Sequence, residues 1–405
     1  MADSVFLRRV LLKNYKSIAN CSVRLGPLNF LVGPNGAGKS NFLDALRFVT
    51  ESLNTSLDHA LRERGGINEV RRWSSGHPTP FGMRLEFVLP TGGEGHYAFR
   101  MGRLPKGGFE VRQEECRVQD PAALDSWFYK VERGVVVDSN PSIVPAAKSD
   151  RLFLVAASSL PEFRALYDAL SRMGFYNFNP DAIRDLQTAD AGEILRRDGG
   201  NLASVLHVMA KERREARDRV VEFLAKVVPG VEDVSVRHVQ NREMLEFKQR
   251  VSINEAPRRF SPENMSDGTL RVLGVLTALF QSADGGARRV PLVGIEEPEV
   301  AVHPGAAGVL RDALREAANT TQVIVTSHSP DLLDDKDVSD DWILAVVSEN
   351  GETRIGPLNE ADRSLMRDRL FTAGELLKQG QLTPDLEVIR QIPPKQLELF
   401  GRPDA

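Results

Sequence analysis

Leu28-Asn29-Phe30-Leu31-Val32-Gly33-Pro34-Asn35-Gly36-Ala37-Gly38-Lys39-Ser40 is an apolar run that ends in the pattern GxxxxGK[ST]. The run reads as a buried strand and the pattern as a phosphate-binding loop. The residues behind it open a helix, because Phe42, Leu43, Leu46 and Val49 fall on one face. Glycines in such a loop let backbone N–H groups converge on phosphate oxygens, and Lys39 reaches the β and γ oxygens of a nucleotide. The Ser40 hydroxyl is placed to ligate Mg²⁺, and Gly36, Ala37, Gly38 and Asn41 complete the binding stretch.

Further along, Pro291-Leu292-Val293-Gly294-Ile295-Glu296-Glu297 is a second apolar strand, ending in two carboxylates. Beside a phosphate loop, Glu296 can hold the metal and Glu297 can orient or deprotonate the attacking water. Met265-Ser266-Asp267-Gly268-Thr269 opens a helix over Leu270 to Gln281 with Ser266 as its N-cap, and a helix N-terminus of that kind is a ready γ-phosphate site. His328 follows a third apolar strand, Gln322 to Thr326, where it can touch a γ-phosphate. The strands Pro291 to Ile295 and Gln322 to Thr326 are apolar at successive positions, as in a parallel sheet covered by helices on both faces.

The 405-residue chain has a formal net charge of −4, with 41% hydrophobic and 27% charged residues, the composition of an ordinary globular protein. That balance excludes a wholly basic nucleic-acid binder but leaves room for a local basic groove. Its longest apolar stretch, Val272 to Phe280, is too short to span a bilayer, so no membrane role is expected. The first residues lack the apolar core of a secretory signal, and Cys21 and Cys116 read as two buried thiols; both point to the cytoplasm.

In their order, these pieces make the chain resemble the ABC ATPase superfamily, in its SMC, RecF and OLD-like branch, and the short AAA-type ATPases of bacterial defence loci. The resemblance rests on Asn14-Tyr15-Lys16-Ser17-Ile18, on GPNGAGKSNFLDAL from Gly33, on SDGTLR from Ser266 and on IEEPE from Ile295. His303-Pro304, SHSPDLL from Ser327 and AGELL from Ala373 extend it. It implies an α/β fold: a P-loop ABC-ATPase head with a mixed, mainly parallel sheet flanked by helices, interrupted by an inserted strand-plus-helix lobe. It also implies ATP and Mg²⁺ as ligands, and two heads sandwiching two nucleotides, so that Ser266 and Gly268 of one subunit complete the Lys39 site of the other in a homodimer. Lys16 and Ser17 would lie near the nucleotide, Asn35 near the γ-phosphate, and His328 would be the switch histidine. Glu296 stands where many relatives carry Asp, Asp267 interrupts the usual Ser-Gly-Gly, and no Q-loop glutamine is recognisable.

The expected division is 1–100 for the first half of the head, 101–250 for the lobe, 251–383 for the second half and 384–405 for a mobile tail. The stretch after His328 is too short for the nuclease domain of OLD-type relatives, so any nuclease or other effector, and any DNA, would be met through a partner or a local groove. The acidic run Asp331, Asp334, Asp335, Asp337, Asp340 and Asp341 reads as a solvated loop rather than a metal cluster, and Lys211-Glu212-Arg213-Arg214 as a solvated helix face. Arg62, Arg64, Arg71 and Arg72 could line a DNA path or pair with acids. Gln396-Leu397-Glu398-Leu399-Phe400 resembles the peptide by which bacterial DNA-repair proteins dock on the sliding clamp; the alternative is an amphipathic helix packed on the head. The function expected is ATP hydrolysis driving a DNA-directed or effector partner, in antiviral defence or DNA maintenance. The competing reading is a nucleotide-gated scaffold with slow turnover.

Overall fold

In the computed structural model, residues 5–72, 79–90, 92–120, 125–140, 145–252, 254–282, 289–392 and 398–401 are described. Strand β3 (Leu28–Val32) is buried at every position, because it lies inside a six-stranded sheet. Its neighbours are β15 (Gln322–Ser327) and β16 (Ile343–Glu349), both parallel to it. Beyond β15 come β14 (Leu292–Glu296) and β9 (Gly174–Tyr176), again parallel, while β17 (Glu352–Pro357) pairs antiparallel with β16 at the other edge. The register sets Val32 opposite Ser327 and Glu296 opposite Thr326, so the ends of β3, β15 and β14 line up along one sheet edge. In parallel sheets that edge is where ligands collect.

A second, antiparallel sheet runs in the order β2 (Ile18–Arg24), β1 (Leu7–Tyr15), β4 (Phe81–Val88), β5 (Glu94–Arg103), β6 (Phe109–Asp120), β7 (Asp125–Glu132) and β8 (Val135–Ser139). Strand β5 runs across residue 101, bonded to β4 in continuous register on one side and to β6 on the other, where the register shifts between Arg100 and Met101. The helix Lys39–Asn54 lies between the two sheets. Its Phe42, Leu46, Phe48 and Val49 share one buried cluster with Val10, Leu12 and Met83 of the second sheet and Leu292 and Ile324 of the first. Tyr15, Phe48 and Phe81 meet there edge to face, with centroids 5.8 Å apart for Phe81 against each of the other rings. The fully buried Gln322 side chain ties the two sheets: its Oε1 accepts from the Leu7 N–H at 2.8 Å and its Nε2 donates to Leu7 O at 2.8 Å and Gly26 O at 2.9 Å.

Glu114 on β6 is also fully buried. Its carboxylate accepts from the backbone N–H groups of Phe153 and Leu154 and from the hydroxyls of Tyr97 and Tyr129, which anchors the chain leaving β8 back onto the sheet. A third, small sheet is formed by β10 (Gln187–Thr188), β12 (Arg242–Gln249), β11 (Val231–Val239) and β13 (Arg258–Phe260). It packs with the helices Leu202–Glu212 and Arg214–Val227 and with the helix Asp267–Phe280 in a separate core.

The charge run at 211–214 is not one helix face. The helix breaks at Arg213, whose backbone is non-helical and whose guanidinium donates to Gln281 O. Both cysteines are buried and free, and burial pushes the Cys21 thiol up to about 12. No helix among the described residues is long and apolar enough to cross a membrane.

Candidate functional site

The loop after β3 is held from behind by the β16–β17 hairpin. Gly38 sits at φ 103°, a left-handed conformation, and a Cβ there would come 2.0 Å from Thr353 Oγ1; both facts demand glycine. Thr353 Oγ1 donates to Ala37 O at 2.9 Å and shares a 2.7 Å hydrogen bond with Ser17 Oγ, which accepts from Asn41 Nδ2 at 2.7 Å. Thus Ser17, Asn41 and Thr353 form one polar knot under the loop. Lys16 belongs to a different cluster: its ammonium pairs with Asp44 at 2.5 Å, beside Arg47 and the almost fully buried Arg64. Burial would raise the Asp44 carboxyl, but Arg64, Lys16 and Arg47 hold it well below the usual carboxylate range.

Lys39 is 5% exposed and folds back to donate to Gly33 O at 2.7 Å and Pro34 O at 3.0 Å. Burial draws its pKa down, while the carboxylates of Glu297 and Glu299 push it back up. Asn35, Gly36 and Ser40 are exposed on the loop.

Across the edge, about two strand spacings or ~10 Å from β3, Glu296 ends β14 and accepts from Arg197 Nη2 at 3.0 Å. Glu297 adopts φ 45°, a left-handed backbone fixed by its N–H donating to Thr326 O at 3.0 Å. That turn swings its carboxylate to His328, with Oε1 3.2 Å from Nδ1. Glu299 accepts from Ser327 Oγ at 2.5 Å through Oε1, and its Oε2 is buried with no hydrogen-bond partner. Burial raises its pKa, against the hydrogen bonds of Ser327 and the His328 N–H. The structure therefore brings Lys39, Glu297 and His328 to one edge and adds Glu299.

Ser266 caps the helix Asp267–Phe280, its Oγ accepting from the Thr269 N–H at 3.1 Å. Gly268 is required by close approach, since a Cβ would lie 2.1 Å from Ala301 O. Asp267 pairs with Arg184 at 2.5 Å. Among the described residues, no hydrogen bond of Ser266 reaches the phosphate loop.

The family model "AAA domain, putative AbiEii toxin, Type IV TA system" matches residues 139–334, and the model "AAA ATPase domain" matches residues 6–79. The chromosome partition protein Smc of Desulfitobacterium hafniense is 25% identical over 209 residues, 47% of this chain. Structural maintenance of chromosomes protein 3 of Saccharomyces cerevisiae is 25% identical over 230 residues, 52% of this chain. A crystal structure of an Smc head bound to the C-winged helix domain of ScpA superimposes with a TM-score of 0.55 at 15% identity, covering 88% of this chain and 99% of that one. Together these matches support an ABC-type P-loop ATPase of the SMC/RecF-like branch as what this chain resembles. The Smc head with an extended coiled coil from Pyrococcus furiosus, bound to the C-terminal domain of ScpA, shares the fold at a TM-score of 0.50 and 14% identity, covering 90% and 99%. The aligned parts span only 17% and 18% of the length of the two curated relatives.

The oxygen donors at this edge suit Mg²⁺: an exposed Ser40 hydroxyl, the Glu296 carboxylate and the orphaned Glu299 Oε2. No group of three or more His, Cys, Asp or Glu side chains among the described residues could cage an ion by itself. That fits a metal held by one or two protein oxygens together with phosphates and water. Glu299 was visible in the IEEPE stretch, but nothing local distinguished it from a solvated acid. Thr353 and Arg197 carried no sequence signal at all.

The arginines near the loop are mostly engaged by acids: Arg62 with Asp58 at 2.9 Å, Arg64 with Asp44 and Glu51, and Arg72 with Glu352 at 2.5 Å. Arg71 donates to Asn68 Oδ1 at 3.3 Å. The acidic run after His328 is ion-paired rather than simply solvated, through Arg311 to Asp335, Arg363 and Arg367 to Asp340, and Lys378 to Asp334.

Gln396 and Leu397 lie outside the described residues. Glu398–Gly401 forms a bend, not a helix, and it packs on the outer face of the second sheet. Leu399 is 1% exposed against Gly82, Arg84 Nη1 donates to Leu399 O at 3.1 Å and Gly401 O at 2.9 Å, and the Arg100 guanidinium lies 5.1 Å over the Phe400 ring.

Proposed function

We propose that the chain binds ATP with Mg²⁺ and hydrolyses it, and that nucleotide-dependent head pairing controls a partner. The observation that carries this reading is the Glu297–His328 pair held at the sheet edge that also bears the phosphate loop. Lys39 would leave the Gly33 and Pro34 carbonyls for the β and γ phosphates, and Asn35, Gly36, Ala37, Gly38 and Asn41 would line them. Bound Mg²⁺ would neutralise charge between the phosphates, held by Ser40 and Glu296. Glu297 would take the proton of the attacking water, and His328, within hydrogen-bond reach of that carboxylate, would orient it. Lys16 and Ser17 act on the loop from beneath, Lys16 through Asp44 and Ser17 through Asn41 and Thr353.

Ser266 and Gly268 would meet the nucleotide of a second copy, a reading supported by the exposure of Ser266 at the start of a separate helix and by the lack, among the described residues, of a hydrogen bond from it to its own phosphate loop. The partner would be DNA-directed or an effector, in the cytoplasm, with antiviral defence or DNA maintenance as the setting. Glu297→Gln decides the matter: ATP should still bind, single-turnover hydrolysis should fall by about 10²-fold or more, and a dimer should accumulate in light scattering. Hydrolysis at the wild-type rate would refute the assignment, whereas loss of turnover with undiminished partner control would favour the nucleotide-gated scaffold. A sliding clamp remains part of the proposal, with one condition: it must lift Leu399 and Phe400 off the sheet before it can hold them.

A further inference from the structure

The functional edge does not stop at Glu296. One strand further, β9 ends at Tyr176, and Asn177, Phe178 and Asn179 continue along the same edge. The segment 197–198 is laced to them by main-chain bonds, Asn177 N to Arg197 O and Asn179 N to Asp198 O, each 3.0 Å. With Arg196 and Arg271, these residues line an open groove of about 600 Å³.

Among the described residues, one of the three arginines of that groove is left without an acid. Arg196 pairs with Asp190 at 2.9 Å and Arg197 with Glu296 at 3.0 Å, both with about half of the guanidinium side chain in water. Arg271, half-buried on the helix that Ser266 caps, has no hydrogen-bond or ionic partner among the described residues. The single acid lining the groove, Asp198, already accepts from the Gly200 N–H at 2.9 Å. One arginine without a partner among the described residues and two whose ion pairs leave them about half in water border one opening, and guanidinium donors match the oxygens of a phosphate group.

We propose that this groove binds a phosphate group, and that filling it draws Arg197 away from Glu296, freeing that carboxylate for the metal of the bound nucleotide. The first half stands on the groove alone; the second rests on the ATPase reading of Glu296. Arg197 bridges the two, because it lines the groove and its guanidinium touches the carboxylate. The link is weak by design of its exposure. A half-exposed ion pair shifts an equilibrium by roughly two- to five-fold, enough to tune metal affinity and too little to block it.

The test uses the full chain carrying Lys39→Ala, so that the phosphate loop does not compete, with two probes: inorganic tripolyphosphate and a fluorescein-labelled 20-base-pair DNA duplex. Arg271→Ala and, separately, the more exposed Arg196→Ala should each weaken binding of at least one probe by about five-fold or more. Which probe responds says whether free phosphates or a nucleic-acid backbone is the source. Equal binding of both probes by both variants and by the Lys39→Ala chain, or no binding at all, overturns the site. For the link, Mn²⁺ affinity of the ADP-loaded chain is read by electron paramagnetic resonance. Arg197→Ala should tighten it roughly two- to five-fold, and the responding probe should reproduce that shift with Arg197 present but not in Arg271→Ala. An unchanged Mn²⁺ affinity in Arg197→Ala overturns the link. Failure of ADP to load would instead count against the phosphate-loop reading, and the probe titrations would still decide the groove.

Discussion

Glu114 turns the anchoring of the chain after β8 into a pH-dependent quantity. Its carboxyl is fully buried, and burial pushes its pKa up to about 7 from the ordinary 4.5, in spite of the donors from Phe153, Leu154, Tyr129 and Tyr97. An acid whose folded pKa exceeds its unfolded one stabilises the fold while protonated, so the contribution is complete below pH 4.5 and is lost as the pH rises through 7. Each unit of pKa corresponds to about 1.36 kcal/mol, so the whole contribution is about 3 kcal/mol, most of it lost between pH 5 and pH 8. Glu114→Gln removes the titration while keeping shape and most of the hydrogen bonding. Urea unfolding followed by circular dichroism at pH 5, 6, 7 and 8 gives the stability of each chain. The difference, wild type minus Glu114→Gln, should fall by about 2 to 3 kcal/mol across that range. A difference that stays flat within about 0.5 kcal/mol would mean that the four donors already hold the carboxylate ionised, and the reasoning from burial would be wrong.

Asp44→Asn leaves Lys16 and the nearly buried Arg64 without their shared carboxylate and should cost about 3 kcal/mol at pH 7 by urea unfolding. Because the Asp44 pKa is depressed in the fold, the wild-type advantage is complete above the ordinary value of 3.8 and shrinks as the pH falls below it; equal stabilities at pH 7 would discount the cluster. Leu399→Ala should loosen the docked tail rather than the whole fold. Exchange of the Gly401 N–H, which donates to Glu115 at 3.2 Å, should quicken about ten-fold for each 1.4 kcal/mol of docking lost, with little change in Tm. Unchanged exchange would show that the tail is held by something other than Leu399.

The parts of the site that could be read in the sequence are those whose chemistry is local. A strand, a loop and a helix are contiguous from Leu28 to Asn54, and β14 announces Glu296 and Glu297 by its apolar run. What stayed hidden depends on pairing between distant segments. Thr353 reaches Gly38 only because β16 lies against β3, Arg197 reaches Glu296 only because β9 lies against β14, and neither pairing leaves a trace in spacing or composition. Glu299 illustrates a different limit. Its residue type and neighbours were plain, but burial with an unpartnered oxygen is a property of the packed edge, not of the motif. The arginines at 62, 64 and 72 were open to two readings until their acids could be placed.

The position of β3 between β15 and β16 also sets when during synthesis the site can exist. Phe30 pairs with Val325 and with Ile343, so the phosphate loop's own strand has no partners until most of the chain has left the ribosome. At about 5–20 residues per second, a gap of roughly 300 residues means that Leu28–Val32 waits on the order of 15 to 60 s as an unpaired apolar segment. A nascent chain in that interval cannot capture nucleotide, since nothing yet braces Gly38 or holds an acid opposite Lys39. Nucleotide retention by stalled ribosome–nascent-chain complexes should therefore begin abruptly once the hairpin through Pro357 has emerged, and the waiting strand is where a chaperone would be needed.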